Sequence, residues 1–285
     1  MSQWIFVSDL HGYLSRYQKL FQVILAERPE VVLLGGDILP NGVYYTQDTP
    51  EKSFIHSVLQ DGFESIKEIL SFAYPKILLI LGNDDPRVEE IELAEGESLG
   101  LWNYIHLRKI EYGDFSVYGY ACVPPTPFAL KDWERYDVSR FVDPGCISPE
   151  EGWRSVPVSP NDIRYTTIQA DLDLLINDSD LSRAIFLFHA PPHYTFLDRV
   201  ALDGRTIDTV PLDVHAGSIA IRRFIEKRQP LITLHGHIHE STRLTGSWCE
   251  HIGRTWSYSA AHDSDELALV RFNPTEPEKA TRSLI

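Results

Sequence analysis

Apolar residues in this chain fall into two arrangements: short unbroken runs, and longer stretches in which they recur every three to four positions. The runs are Trp4 to Val7, Val31 to Leu34, Ile77 to Leu81, Ile185 to Phe188 and Leu231 to Leu234. Rich in large and β-branched residues and ending near glycine or histidine, they read as strands buried on both faces of a helix-covered sheet. Helical spacing appears at Leu14, Tyr17, Leu20, Phe21, Ile24 and Leu25, with Pro29 beyond the end. It returns from Phe54 to Leu70, weakened near Gly62, then at Ile168 to Ile176 and at Ile219 to Ile225 before Pro230. Strands alternating with amphipathic helices predict an α/β fold.

Between these segments the pattern loosens. Lys109 to Tyr112 and Ser116 to Tyr120, joined across Gly113-Asp114, predict an antiparallel hairpin, so the sheet there is mixed. Stretches near 40–52, 122–165 and 190–217 are rich in turn-formers and show no sustained period; they read as loop insertions in one domain spanning 1–285. The second of them is a candidate lid. Thr242 to Leu244, Thr255 to Ser259 and Leu267 to Phe272 read as closing strands, with a frayed polar tail beyond Pro274.

Charge narrows the partners. With 26 basic and 41 acidic side chains the formal net charge is -15, which offers no basic surface to a polyanion and argues against duplex nucleic acid as a partner. A small anion differs, because a bound dication attracts it by about 4 kcal/mol per charge pair at contact, for an effective dielectric near 20. Cys122, Cys146 and Cys249 are scattered and form no Cys-x-x-Cys pair, so they read as free thiols in a reducing compartment. No apolar run reaches the roughly 20 residues of a membrane span, and the expected location is the cytoplasm.

The chemistry stands at the ends of the predicted strands, where ligands bind in sheets of this kind. The first run leads into Asp9-Leu10-His11, the second into Gly36-Asp37, the third into Gly82-Asn83, the fourth into His189 and the fifth into Gly236-His237-Ile238-His239. These side chains form an oxygen and imidazole donor set suited to Mn, Fe, Zn or Co. In Asp9-Leu10-His11, alternation at a strand end turns the two polar residues to one side and Leu10 to the core.

In joint occurrence and order these motifs resemble the calcineurin-like metallophosphoesterase superfamily. The resemblance implies a four-layer sandwich, two mixed β-sheets face to face with helices outside. It also implies a pair of divalent or trivalent metal ions. By motif, Asp9, His11 and His239 would hold one ion, Asn83, His189 and His237 the other, and Asp37 would bridge them. The implied activity is hydrolysis of a small phosphodiester or cyclic nucleotide by in-line attack of a hydroxide shared between the metals. A phosphomonoester is the alternative substrate, and a metal-binding scaffold with little catalysis the alternative role.

One position departs from the pattern. Where the superfamily places histidine after Gly-Asn, this chain has Asp84, followed by Asp85-Pro86-Arg87. Asp84 is expected either to orient a neighbour, paired with Arg87, or to act as a general acid. His189-Ala190-Pro191-Pro192-His193 resembles the branch related to the cyclic-AMP phosphodiesterase Icc, and His193 is the candidate to replace the missing imidazole. His235 is expected to cap its strand, Ser218 to cap a helix, and Tyr44, Tyr45 and Trp133 to line the mouth of the site. His56, His106, His215, His251 and His262 match no motif and read as structural or exposed.

Overall fold

A computed structural model describes residues 3–40 and 53–285. The expected loop at 41–52, with Tyr44 and Tyr45, lies outside the described residues. The first half alternates strand and helix: β1 (Trp4–Val7), α1 (Leu14–Glu27), β2 (Val31–Gly35), a π-helical turn Ile55–Gln60 running into α2 (Asp61–Leu70), and β3 (Lys76–Ile80). It continues with α3 (Glu90–Ser98), β4 (Asn103–Tyr104), β5 (Arg108–Tyr112) and β6 (Phe115–Tyr120). After a long segment come α4 (Pro160–Tyr165), α5 (Ile168–Ile176) and β7 (Ala184–Phe188). The chain then forms a small hairpin of β8 (Thr206–Ile207) and β9 (Val210–Pro211), α6 (Ile219–Arg228) and β10 (Ile232–His235). It closes with α7 (Ser241–Thr245), β11 (Cys249–Ile252), β12 (Thr255–Ser259), β13 (Ala268–Phe272) and β14 (Thr281–Leu284).

Two six-stranded sheets result, ordered β14-β13-β1-β2-β3-β4 and β11-β12-β10-β7-β6-β5. In each, four neighbouring strands run parallel, β1 to β4 in one and β6, β7, β10 and β12 in the other. The remaining strands join antiparallel. The sheets meet face to face: Trp4 of β1 packs edge-on against Tyr112 and Phe115 of the second sheet, and Tyr258 of β12 packs on Phe272 of β13. Outside the first sheet, Tyr17 and Phe21 of α1 join Phe63 of α2 and Trp102 in an aromatic chain. Outside the second, Phe224 of α6 covers Phe186 and Phe188. Every residue of β1, β2 and β7 is buried, as strands enclosed on both faces require. The expected sandwich of two mixed sheets between helices is therefore the observed fold.

Several elements differ from the pattern reading. Thr242 to Leu244 belongs to helix α7, and the strand in this region is β11, whose alternation is masked by the polar Glu250 and His251 on an edge. The tail is not frayed: β14 pairs with β13 along Thr281–Leu284, and Lys19 donates to the Ile285 carbonyl. Helix α3 went unmarked in the pattern, because its four glutamates leave little apolar periodicity to read. The second predicted helix runs through Gly62, and its irregularity lies earlier, in the π turn.

Candidate metal centre

The parallel strands of both sheets end on one side of the sandwich, and the loops leaving β1, β2, β3, β7 and β10 converge there. Their backbones are held in unusual shapes. Asp9, His11, Asp37 and His237 all adopt positive φ, at 57°, 46°, 48° and 71°. Each such residue costs about 1 to 2 kcal/mol against ordinary backbone, so the surroundings must hold it. They do: Asp9 N donates to the Gly36 carbonyl at 3.0 Å, His11 N to the Asp37 carbonyl at 2.8 Å, and His237 N to Asp9 Oδ1 at 3.0 Å. Glycine is required twice for closeness: a Cβ on Gly36 would lie 2.6 Å from His189 Nδ1, and one on Gly82 would lie 2.4 Å from Asp37 Oδ1.

Two donor groups form around these loops. Asp9, His11, Asp37 and His239 each bring one ligand atom within 4.8 Å of the others, and so do Asp37, His189 and His237; Asp37 is common to both. In the first group His11 Nε2 and His239 Nε2 face each other at 3.1 Å, with Asp9 Oδ1 3.3 Å from the latter. In the second, His189 Nδ1 lies 2.8 Å from the Gly35 carbonyl. That contact fixes the proton on Nδ1, so the lone pair of Nε2 points inward. Nε2 then stands 3.2 Å from Asp37 Oδ2 and 3.0 Å from Asn83 Oδ1. With the His189 ring neutral these are three electron-rich atoms facing one another, an arrangement that a cation between them would satisfy.

The titration behaviour carries the same message. Burial alone would raise Asp9, but the hydrogen bond and charge of His239, with His189 and His11 beyond, hold it well below the usual carboxylate range. Asp37 likewise resists its burial and is lowered to about 2 by His189 and His11. His189 is raised to about 10, because Asp37 and Asp9 outweigh its desolvation, whereas burial takes His237 down to about 3. Without metal a proton fills the place between His189 and Asp37. The donor set itself, carboxylates and imidazoles without thiolate, fits borderline and hard divalent ions.

Asp84 sits at the edge of this cluster. Its Oδ1 accepts from Asn83 Nδ2 at 2.9 Å, its backbone N–H donates to Asp37 Oδ1 at 2.8 Å, and its Oδ2 is 3.7 Å from His11 Nδ1. Burial and the Asp37 charge raise it to about 6. The expected pairing with Arg87 is absent: Arg87 Nε reaches Glu90 at 3.0 Å, and its guanidinium lies over the Trp133 ring. Trp133 does not line the mouth either. It is fully buried, donating from Nε1 to the Asp85 carbonyl at 2.8 Å. His193 faces the same cleft, its Nε2 3.4 Å from Asp213 Oδ2.

Two acids escaped the sequence reading because no motif marks them. Asp85 is fully buried and accepts from Ile38 N, Leu39 N and Gly82 N at 3.1, 2.8 and 2.9 Å, tying the loop after β2 to the loop after β3. Asp198, also fully buried, accepts from Tyr194 N, Thr195 N and Gly217 N and from His215 Nδ1 at 2.7 Å. His215 thus lines the cleft with an oriented ring and is not a stray surface histidine. Of the remaining histidines, His56 contacts Glu95, His106 is buried on Trp133, His251 lies along Trp256 and His262 meets Ser264. His235 is buried at its strand end with Nδ1 against the Ala190 carbonyl, and Ser218 caps α6, accepting from Ile221 N.

Comparison with known proteins agrees with this geometry. The family model for calcineurin-like phosphoesterases matches residues 4–241. No curated protein matches the chain. Among solved structures, one superposes with TM-score 0.61 at 16% identity, covering 99% of this chain and 98% of its own. TT1561 of Thermus thermophilus does so at TM-score 0.57 and 16% identity, covering 99% and 98%. A dimetal phosphatase from Danio rerio reaches TM-score 0.50 at 10% identity over 94% and 91%. At such identities the likeness shows the fold alone, but the family match covers most of the chain and every residue of both donor groups lies within it: the chain belongs to the calcineurin-like phosphoesterases, metal-dependent hydrolases.

Proposed function

We propose that this chain, a single domain, is a dinuclear metallophosphoesterase hydrolysing a small phosphodiester, with a phosphomonoester as the second substrate. The observation that carries the reading is Asp37, whose carboxylate is the one member common to both donor groups. In this reading Asp9, His11 and His239 hold one ion, Asn83, His189 and His237 the other, and Asp37 both. When bound, such a pair supplies Lewis acidity at the phosphoryl oxygens and lowers the pKa of a shared water.

The protein's own residues do the rest. Asp84 orients Asn83, because accepting from Nδ2 turns the amide oxygen toward His189. His237 N–H and the His239 ring fix Asp9. Water adds to phosphorus as the ester P–O bond breaks, and the departing oxygen takes a proton. We assign that delivery to His193, which stands on the cleft wall. His193→Gln should slow alkyl esters, whose leaving groups need the proton, and spare p-nitrophenyl esters, whose leaving group does not. Equal effects on both would remove His193 from the reaction.

The decisive experiment removes metal by chelation, restores Mn, Fe, Zn or Co singly, and assays an aryl monoester, an aryl diester and a cyclic nucleotide side by side. Metal-dependent diester turnover is expected. Metal binding without turnover on any ester would establish a scaffold.

A further inference from the structure

Beside the donor groups lies a cleft of about 760 Å³, walled by the two segments that interrupt the αβ pattern in the second half of the chain. One wall comes from 124–146 and the other from 193–217, and they meet where a Cβ on Gly145 would touch Ile207. Neither is a loose loop. The first is pinned by the fully buried pair Lys131–Glu134, whose partners include both the hydroxyl and the backbone of Thr126. It also reaches α6, where Asp137 accepts from Ser218 Oγ at 2.6 Å and from Ile219 N at 2.6 Å. The second is gathered around Asp198.

What these rigid walls present is unusual for a phosphate-handling protein. Phe128, Phe141 and Ile207 stand in the cleft at 56%, 69% and 38% exposure, beside Val200, Leu202 and Leu212. Large apolar side chains held open beside a charged centre mark a binding surface. The charged lining is one-sided: among the described residues the cleft has no lysine or arginine, while Asp143, Asp213 and Glu240 face it beyond the donor groups. Four cations of the same segments are paired away from it, Lys131 with Glu134, Arg135 with Asp171, Arg140 with Glu150 and Arg199 with Asp203. An anionic group on the far part of a substrate would be desolvated among carboxylates, and the two imidazoles of the lining, His193 and His215, each already face an aspartate, Asp213 and Asp198.

We infer that the cleft selects phosphate esters whose organic group is apolar and carries no anion beyond the phosphate at the metal centre. The inference rests on the phosphoesterase reading and narrows its substrate away from nucleoside polyphosphates and toward alkyl or acyl-chain esters. A methylene fully removed from water is worth about fourfold in affinity, and one in a half-open cleft about twofold.

The test measures binding, so that it stands apart from turnover. Methyl-, butyl- and octylphosphonate are titrated into the manganese-loaded protein by calorimetry, with 7-carboxyheptylphosphonate as the anionic counterpart of the octyl compound. Octylphosphonate should bind about 100-fold more tightly than methylphosphonate, and the terminal carboxylate should cost about tenfold or more. Phe141→Ser and Phe128→Ser, both surface changes that leave the core intact, should each lower the octyl-to-methyl ratio about threefold or more. Affinities equal within about threefold along the series, or a carboxylate as well bound as the alkyl chain, would overturn the inference. Absence of ester turnover together with a steep phosphonate series would reject the catalytic reading and leave the cleft's selectivity standing.

Discussion

Because Asn83 Nδ2 donates to Asp84 Oδ1, the amide oxygen is the atom turned toward His189, and substitution separates that orienting role from proton donation. Asp84→Asn keeps an oxygen acceptor and should retain kcat within about threefold, whereas Asp84→Ala releases the amide and should weaken metal binding about 10- to 100-fold, the cost typical of losing a group that orients a ligand. A general acid would give the reverse ranking, with the amide variant inactive; metal titration beside initial rates distinguishes them. His106 makes a second prediction, on pH. Burial, with Arg135 and Arg87 nearby, lowers it to about 3, below the 6.5 of an exposed imidazole, and its Nδ1 accepts from Ala121 N. Between those values the unfolded chain binds a proton that the folded chain refuses, so the stability His106 contributes above pH 6.5 is lost as pH falls toward 3. His106→Asn keeps an acceptor and has nothing to protonate. Its stability deficit at pH 7.5 should shrink by about 1.4 kcal/mol per unit below pH 6, measured by urea unfolding. The sequence marks the donors Asp9 and His239 because their spacing is regular, but not Asp85 or Asp198, since a carboxylate that serves backbone N–H groups leaves no periodic trace.

At the level of elements, the strand ends that deliver Asp9, Asp37, Asn83, His189 and His237 are legible because a doubly buried strand must be continuously apolar, and glycine must follow where backbones nearly touch. The edge strands are not. β11 carries Glu250 and His251 outward, β14 is polar over most of its length, and both are specified by pairing with a neighbouring strand. Positive φ at Asp9, His11, Asp37 and His237 is only faintly written in sequence, since aspartate and histidine are enriched in left-handed backbone but adopt it in only a small share of their occurrences. The wall segments are the intermediate case: their turn-formers are visible, their order is not, because it depends on buried polar pairs such as Asp198–His215. Asp198→Asn tests that dependence. An amide cannot accept from all four donors at once and must turn a hydrogen toward one of them, so about 2 to 4 kcal/mol should be lost. The loss should concentrate in 194–217, with faster amide exchange there than in the strands of either sheet.

For the molecule as a whole, the field and the site pull in opposite directions. The chain carries a formal charge of -15, and two bound dications would still leave it strongly negative, so an approaching phosphate should be repelled until it is within reach of the centre. The range of that repulsion is set by salt: the screening length is about 20 Å at 20 mM and about 7 Å at 200 mM. At low salt the acids of the entire surface act on the substrate, and at high salt only those lining the cleft do, Asp143 and Asp213 among them. Raising sodium chloride from about 20 to about 200 mM should therefore raise kcat/KM for dianionic phenyl phosphate by about two- to fivefold. A monoanionic aryl diester should gain less, because the repulsion scales with substrate charge. A fall in kcat/KM with salt for both substrates would mean that the metals' local charge governs approach from a distance. The acidic surface would then have no part in choosing between esters, and selection would fall to the apolar walls and the carboxylates inside the cleft.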